Sequence, residues 1–337
     1  MGELLQTGKT RKMSSLKNKI VTVFGGTGFV GQHVIAGLVK EGAIVRVPSR
    51  LKNSGYALRT GAVVGQVVPM HVDFDQMKTL TAAMTGADYV INLVGILHET
   101  SRQKFQTVHA ELPGILAKQA KKAGVRQFIQ MSALGADIES ESVYQKSKAM
   151  GEKAVVKAFP EAVILRPSII FGQGDGFFSR FAGLSRKMPF LPLIGGGKTI
   201  FQPVYVGEIV DLILTLLEND SVKELDIDGA IIECGGPATY SFASLLEYML
   251  EIIAVQRPLI SLPWPLAAVQ AAILECLPGH LLTRDQVRSL KTDNIVTGQH
   301  MTLDDFGIVP TPLEIIVPDY LESYKTGGQF TRYRKTG

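Results

Sequence analysis

Cysteine is nearly absent: Cys234 and Cys276 are two isolated thiols in 337 residues. Neither sits in a metal-ligand spacing, and one pair of distant cysteines is no disulfide framework, so no metal is expected and both thiols read as buried side chains of a reducing compartment. One charge sign does not dominate either. Lys and Arg total 35 against 31 acids, a net charge of +4, with no basic stripe interleaved with aromatics, which excludes nucleic acid as a partner. There is no internal repeat, no low-complexity stretch and no long linker. The uncharged stretch 258–274 holds three prolines and is shorter than the roughly 20 residues of a membrane-spanning helix. Residues 1–19 hold Lys9, Arg11, Lys12, Lys17 and Lys19 against the single acid Glu3, without the apolar segment of a secretory signal. Residues 1–18 therefore read as a flexible basic lead, with weak attraction to a membrane surface as the alternative, and Met13 is a second possible start. The remaining chain, 46% hydrophobic, is long enough to bury a large core in one domain or one and a half.

The most informative stretch is residues 20–31, IVTVFGGTGFVG. Strand-forming residues run into Gly25-x-x-Gly28-x-x-Gly31, and an apolar-periodic segment follows, so the order is strand, glycine turn, helix. Gly25 permits the sharp turn, Gly28 removes a side chain where backbone must approach a pyrophosphate, and Gly31 lets helix and strand pack closely. A helix N-terminus there presents free N–H groups to an anion. Gly25, Thr27, Gly28, Phe29, Val30 and Gly31 are the expected phosphate-end contacts of a dinucleotide.

Residues 43–47 read as a second strand, whose end selects the dinucleotide. An acid there would accept from a ribose 2′-hydroxyl and repel a 2′-phosphate. This chain has Ser49 and Arg50, with Lys52 close behind, which favours NADP(H) because a guanidinium pairs with the extra phosphate. A solvated basic loop is the alternative. Residues 67–72 form a third strand ending in Asp73 and Phe74, an acceptor and an apolar wall for adenine. A helix over 77–84 precedes the continuous apolar run 89–94, a doubly buried strand closed by Val94 and Gly95. A helix over 111–122 and a strand over 127–132 follow. This alternation predicts an α/β fold: a Rossmann-type doubly wound parallel sheet with ligands at the carboxyl ends of its strands.

Tyr144 and Lys148, four residues apart on an expected helix, share one face. A lysine one turn away stabilises a phenolate and lowers the tyrosine's pKa, making it a general acid/base, and holds a nicotinamide ribose with its other donors. Ser132 ends the preceding strand and is placed to donate to a substrate oxygen. Alone, such a Tyr–Lys pair is a common surface pair; downstream of the glycine loop it forms a candidate catalytic group.

Residues 25–31, Ser49, Arg50, Asp73, residues 92–95, Ser132, Tyr144 and Lys148 together resemble an atypical short-chain dehydrogenase/reductase of the extended epimerase/dehydratase branch. Residues 166–172 continue the likeness, and it places Pro167 at the nicotinamide end. More narrowly, residues 151–153, 159–162, 202–206, 262–266, 282–287, 303–308 and 311–314 resemble the NADPH-binding accessory subunits of respiratory complex I, NADH:ubiquinone oxidoreductase. That resemblance spans residues 18–325. It implies a tightly held structural NADPH, docking beside other complex I subunits near the quinone-binding region, and a peripheral position on the membrane. The short N-terminal lead points to the cytoplasmic face of a bacterial inner membrane, with the mitochondrial matrix face as the eukaryotic equivalent. Active relatives carry a second serine where this chain has Ala133, so the catalytic roles of Ser132 and Tyr144 transfer less securely than the nucleotide contacts. A free NAD(P)-dependent oxidoreductase or epimerase using Tyr144 and Lys148 is the alternative.

Expected organisation is a nucleotide-binding core over 19–165, a smaller C-terminal lobe over 166–325 interleaved with it, and a tail over 326–337. Residues 208–218 and 244–253 read as amphipathic helices of the smaller lobe. Residues 258–274 read either as a buried segment or as an apolar surface for a membrane protein or lipid. The glycine run 195–197 before Lys198 lacks the spacing of a phosphate loop and reads as a turn near the pocket mouth.

Overall fold

A computed structural model of the chain describes residues 16–51, 63–218, 227–275 and 282–325. Lys52, Cys276, residues 1–15 of the basic lead and the tail over 326–337 lie outside the described residues. The chain begins with β1 (Ile20–Phe24), α1 (Phe29–Lys40), β2 (Ile44–Ser49), β3 (Val67–His71), α2 (Met77–Met84) and β4 (Tyr89–Asn92). Next come α3 (Leu112–Lys122), β5 (Gln127–Met131), α4 (Val143–Ala158) and β6 (Val163–Pro167). The remainder comprises β7 (Ile170–Phe171), α5 (Phe178–Lys187), β8 (Leu191–Ile194), β9 (Ile200–Phe201), β10 (Val204–Tyr205), α6 (Val206–Leu217) and β11 (Ile231–Cys234). It closes with β12 (Tyr240–Ser241), α7 (Phe242–Ile252), β13 (Leu259–Leu262), α8 (Trp264–Leu274), α9 (Arg284–Ser289), β14 (Met301–Thr302) and α10 (Leu313–Leu321).

Among the described residues, eight strands form one parallel sheet in the order β3-β2-β1-β4-β5-β6-β11-β14. Each strand buried on both faces reads as an apolar run because helices cover the sheet on both sides. On one side α1 and α6 cover Val21, Val23, Val45 and Ile91; on the other, α2, α3 and α4 cover Phe24, Val90 and Phe128. The strand order reverses between β1 and β4, and the crevice beyond their carboxyl ends is where a doubly wound sheet takes its ligand.

Two strands from the C-terminal half, β11 and β14, extend this sheet beside β6. The C-terminal half has its own core, which gathers Phe171 of β7 with Phe178, Leu245, Leu246, Met249, Val317 and Leu321 of α5, α7 and α10.

Three expectations are adjusted. Leu16 is fully buried against the sheet's core, and Asn18 N–H donates to Gly42, so the chain is packed from residue 16 rather than free to residue 18. Helix α6 belongs to the nucleotide-binding core, not the smaller lobe: Ile209, Leu212, Ile213 and Leu216 join the cluster of Val34 and Leu38, and Gly37 leaves room for Val210. Residues 258–274 split into β13, paired with β8, and α8, which is an apolar surface rather than a buried segment. Helix α8 buries only Ala267 and Ala271, while Leu266, Val269 and Ile273 are each about 60% exposed. Residues 195–197 form a left-handed glycine turn packed on Trp264 and Ala243.

Candidate functional site

The expected phosphate end is made of backbone. Gly25 has φ +77°, and a Cβ there would stand 2.8 Å from the carbonyl carbon of Leu93, the residue after neighbouring β4. A Cβ on Gly31 would overlap the Gly25 oxygen and the Gly26 backbone, so α1 rests directly on the turn. Gly28 differs: its Cβ would meet only the Gly25 oxygen, at 3.3 Å, at an ordinary φ of −78°. The fold itself therefore demands Gly25 and Gly31, whereas the absence of a side chain at Gly28 serves whatever approaches from outside. Gly28 is the N-cap of α1, with no side chain capping it and no acid in the first turn. The helix N–H groups at Phe29 and Val30 remain available to an anion. Thr27 contributes its carbonyl to Gln32 Nε2 at 3.1 Å. The Phe29 ring stands edge-on to His33 and lies beside Gly172 and Gly174.

The residues expected at the adenine end sit at the tips of β2 and β3. Exposed Arg50 lies over the Phe74 ring, 6.0 Å from its centroid. With its amide oxygen facing the guanidinium, Gln103 accepts from Nη1 and Nη2 of Arg50 at 3.1 and 2.8 Å. Ser49 Oγ accepts from Leu51 N–H at 3.2 Å. The Asp73 carboxylate accepts from Asp75 N–H and Gln76 Nε2 at 3.1 and 2.9 Å, inside its own turn, leaving lone pairs for a further donor. Sequence separation hides this group, but the sheet register Ser49↔His71 brings it together.

The expected nicotinamide end is made of side chains, most of them buried. Ser142 caps α4 by accepting from Gln145 N–H at 3.3 Å, and the helix carries Tyr144 and Lys148 on one face, Nζ 5.8 Å from the ring centroid. Lys148 Nζ donates to the Met131 carbonyl at 3.3 Å. A Cβ on Gly95 would lie 3.6 Å from Nζ, so the chain after β4 passes directly over the lysine. Val94 N–H donates to Asn92 Oδ1, which shapes that passage. Ser132 is 4% exposed and its hydroxyl has no partner, while Pro167 ends β6 beside it in the sheet and accepts from Leu134 N–H.

One expectation fails in direction. Burial pushes the Tyr144 hydroxyl up to about 12, and burial lowers the Lys148 amine to about 8, against a smaller opposing pull from Glu152. The lysine does not bring the phenol toward neutrality: desolvation of both groups outweighs their attraction.

Sequence reasoning missed His109. It lies on a π-turn, Gln106–Glu111, that leads into α3. The signal was Pro113, which cannot donate to the His109 carbonyl four residues back and so releases the regular ladder. The freed carbonyl rests against Gly151 of α4, where a Cβ would overlap it. His109 Nε2 accepts from Ile96 N–H at 2.9 Å. Ser147 Oγ donates to the Tyr144 carbonyl at 2.7 Å and so accepts from His109 Nδ1 at 3.1 Å. Burial, with the Lys148 charge behind it, lowers the imidazole to about 2, so a neutral ring fills the space between Gly95, Lys148 and Tyr144.

These residues fit a nicotinamide dinucleotide: a backbone cradle, an exposed arginine stacked on a ring, and an unpartnered buried hydroxyl beside a lysine. Residues 21–228 match the family model described as NAD dependent epimerase/dehydratase family. The chain is 35% identical over 97% of its length, and 83% of the other, to the NADH dehydrogenase [ubiquinone] 1 alpha subcomplex subunit 9, mitochondrial, of Arabidopsis thaliana. The Mus musculus protein of the same name is 33% identical, covering 93% of this chain and 82% of its own. A Citrobacter sp. triphenylmethane reductase shares the fold, with TM-score 0.70 at 18% identity over 89% of this chain and 99% of that one. No described helix is long and apolar enough to cross a membrane. The chain thus belongs to the NAD dependent epimerase/dehydratase family, and its similarity to the alpha subcomplex subunit 9 proteins runs through both lobes.

Proposed function

We propose that this chain is an accessory subunit of respiratory complex I that holds NADPH as a structural group, peripheral to the membrane and next to the other subunits near the quinone-binding region. The observation that carries this reading is the extent of the similarity, 97% of the chain, which includes the second lobe and not only a nucleotide-binding half. A bound nicotinamide supplies hydride chemistry in general, but the geometry here favours retention. Arg50 pairs with a 2′-phosphate, the turn at Gly28 and the start of α1 take the pyrophosphate, Asp73 and Phe74 face the adenine, and Lys148 holds the nicotinamide ribose. Tyr144, pushed up to about 12, gives up a proton reluctantly. The exposed apolar side chains of α8 support a position against a membrane protein or lipid. The cytoplasmic face of a bacterial inner membrane suits the chain, and the matrix face is its mitochondrial counterpart.

The second reading, a free NAD(P)-dependent oxidoreductase or epimerase, is favoured by the unpartnered Ser132 hydroxyl, which follows the Met131 carbonyl that Lys148 Nζ reaches, and by the Tyr144–Lys148 pair. Affinity capture of the tagged chain from membranes in mild detergent separates the two. Co-purification of complex I subunits with bound NADPH supports the accessory role; a chain recovered alone with freely exchanging nucleotide overturns it.

A further inference from the structure

Helix α4 carries Tyr144 and Lys148, yet its first turn is not completed locally. Asp285, 141 residues away on α9 of the second lobe, reaches back to it. Its Oδ1 accepts from Val143 N–H at 2.7 Å, and its Oδ2 from Tyr144 N–H at 2.9 Å and from Ser142 Oγ at 2.9 Å. The Asp285 side chain is only 13% exposed. A carboxylate accepting three hydrogen bonds at a helix N-terminus is stabilised by charge-assisted bonds and by the helix dipole together.

The same short helix touches the other wall of the nicotinamide end. Gln286 Nε2 donates to the Leu97 carbonyl at 3.3 Å, two residues beyond Gly95. Ser289 Oγ lies 3.2 Å from Ser142 Oγ, and Lys291 pairs with Glu141 at 3.1 Å. Helix α9 is itself held by a capping box between Thr283 and Gln286 and by packing of Val287 against Ala267 and Ala271 of α8. The second lobe therefore grips both segments that meet at Lys148: the passage over Gly95 and the first turn of α4. Side chains at a binding site hold their geometry only where a supporting shell fixes them.

We infer that Asp285 is a positioning residue, an N-cap supplied across the lobes that sets Tyr144 and Lys148 for the nucleotide, so that nucleotide retention depends on the seating of α8 and α9. The inference rests on the nucleotide reading above, and its test separates the two. The full chain is compared with Asp285→Ala, with Asp285→Asn, which keeps one accepting oxygen, and with Ser241→Ala. Ser241 caps α7 in the second lobe, where its Oγ accepts from Ser244 N–H at 3.0 Å, and it controls for lost stability alone. NADPH binding is read by fluorescence titration at a temperature where circular dichroism shows every variant folded. Hydrogen exchange of the nucleotide-free chain is read over residues 142–150.

Asp285→Ala is expected to weaken NADPH at least about tenfold and to speed exchange over 142–150, Asp285→Asn to recover part of both, and Ser241→Ala to change neither. A folded Asp285→Ala that binds NADPH like the parent overturns the inference. If Asp285→Ala does not fold, the Asp285→Asn titration decides alone, and parent-like binding by that variant with unchanged exchange overturns it too. A parent chain that binds no NADPH, while Asp285→Ala still loosens 142–150, overturns the nucleotide reading and leaves the positioning role of Asp285 standing.

Discussion

The two ends of the proposed nucleotide site are built from different material. At the phosphate end the ligand meets main chain: Gly25, Gly28 and Gly31 act by what they lack. At the nicotinamide end it meets side chains, Ser132, His109 and Lys148 buried and Tyr144 half-buried, with His109 held by Ser147 and Lys148 by the Met131 carbonyl. A backbone site depends on one tight turn and tolerates little change within it. A side-chain site depends on packing between lobes and fails gradually, one support at a time.

The largest effect is expected from the glycines, and it separates fold from ligand. Gly31→Ala forces a Cβ into the Gly25 turn and is expected to lose roughly 3 kcal/mol of stability together with nucleotide binding. Gly28→Ala is expected to keep stability within about 1 kcal/mol while losing nucleotide, since the fold leaves space there. Urea unfolding beside a binding titration measures both, and equal stability losses for the two variants would erase the distinction. Next comes Arg50→Asp, expected to weaken NADPH by roughly 30- to 100-fold and NADH little. Equal retention of the two nucleotides by that variant would remove Arg50 from the 2′-phosphate.

At the other end, His109→Ala strips the acceptor from Ile96 N–H and leaves a cavity, an expected cost of about 2 kcal/mol by urea unfolding. A pH experiment reports on Lys148. Its amine lies at about 8 in the folded chain against 10.5 ordinarily, so the burial penalty is complete below pH 8. Between 8 and 10.5 the unfolded chain holds a proton the folded chain has released, so stability of the nucleotide-free protein gains a rising contribution with pH. Lys148→Met is expected to abolish that contribution in urea midpoints taken across the window; an unchanged pH profile would contradict the buried amine. Smallest of all on stability is Leu266→Asp on exposed α8, expected to shift unfolding by less than about 0.5 kcal/mol while reducing recovery with membranes. Parent-like membrane recovery would free α8 from any docking role.

How much could be read in advance follows the same division. The strand–turn–helix at residues 20–31, the alternating elements to β5 and the Tyr144–Lys148 face were legible because each is local and carried by a period or spacing. The placement of α6 was not, since an amphipathic helix reads alike on either lobe until Gly37 shows where Val210 fits. His109 was missed because a π-turn inserts a residue and breaks the helical period, although Pro113 marked the break. Asp285 was quoted only as part of a resemblance; its contact spans 141 residues and leaves no local pattern. The direction of the Tyr144 shift was missed because burial, not the neighbouring charge, dominates, and burial is a property of the packed molecule.

The most direct test of the account is to denature the protein purified from its native membranes, chromatograph the released nucleotide and quantify it against protein. The account predicts close to one NADP(H) per chain, retained through purification; NAD(H) in its place, or no nucleotide, would contradict it.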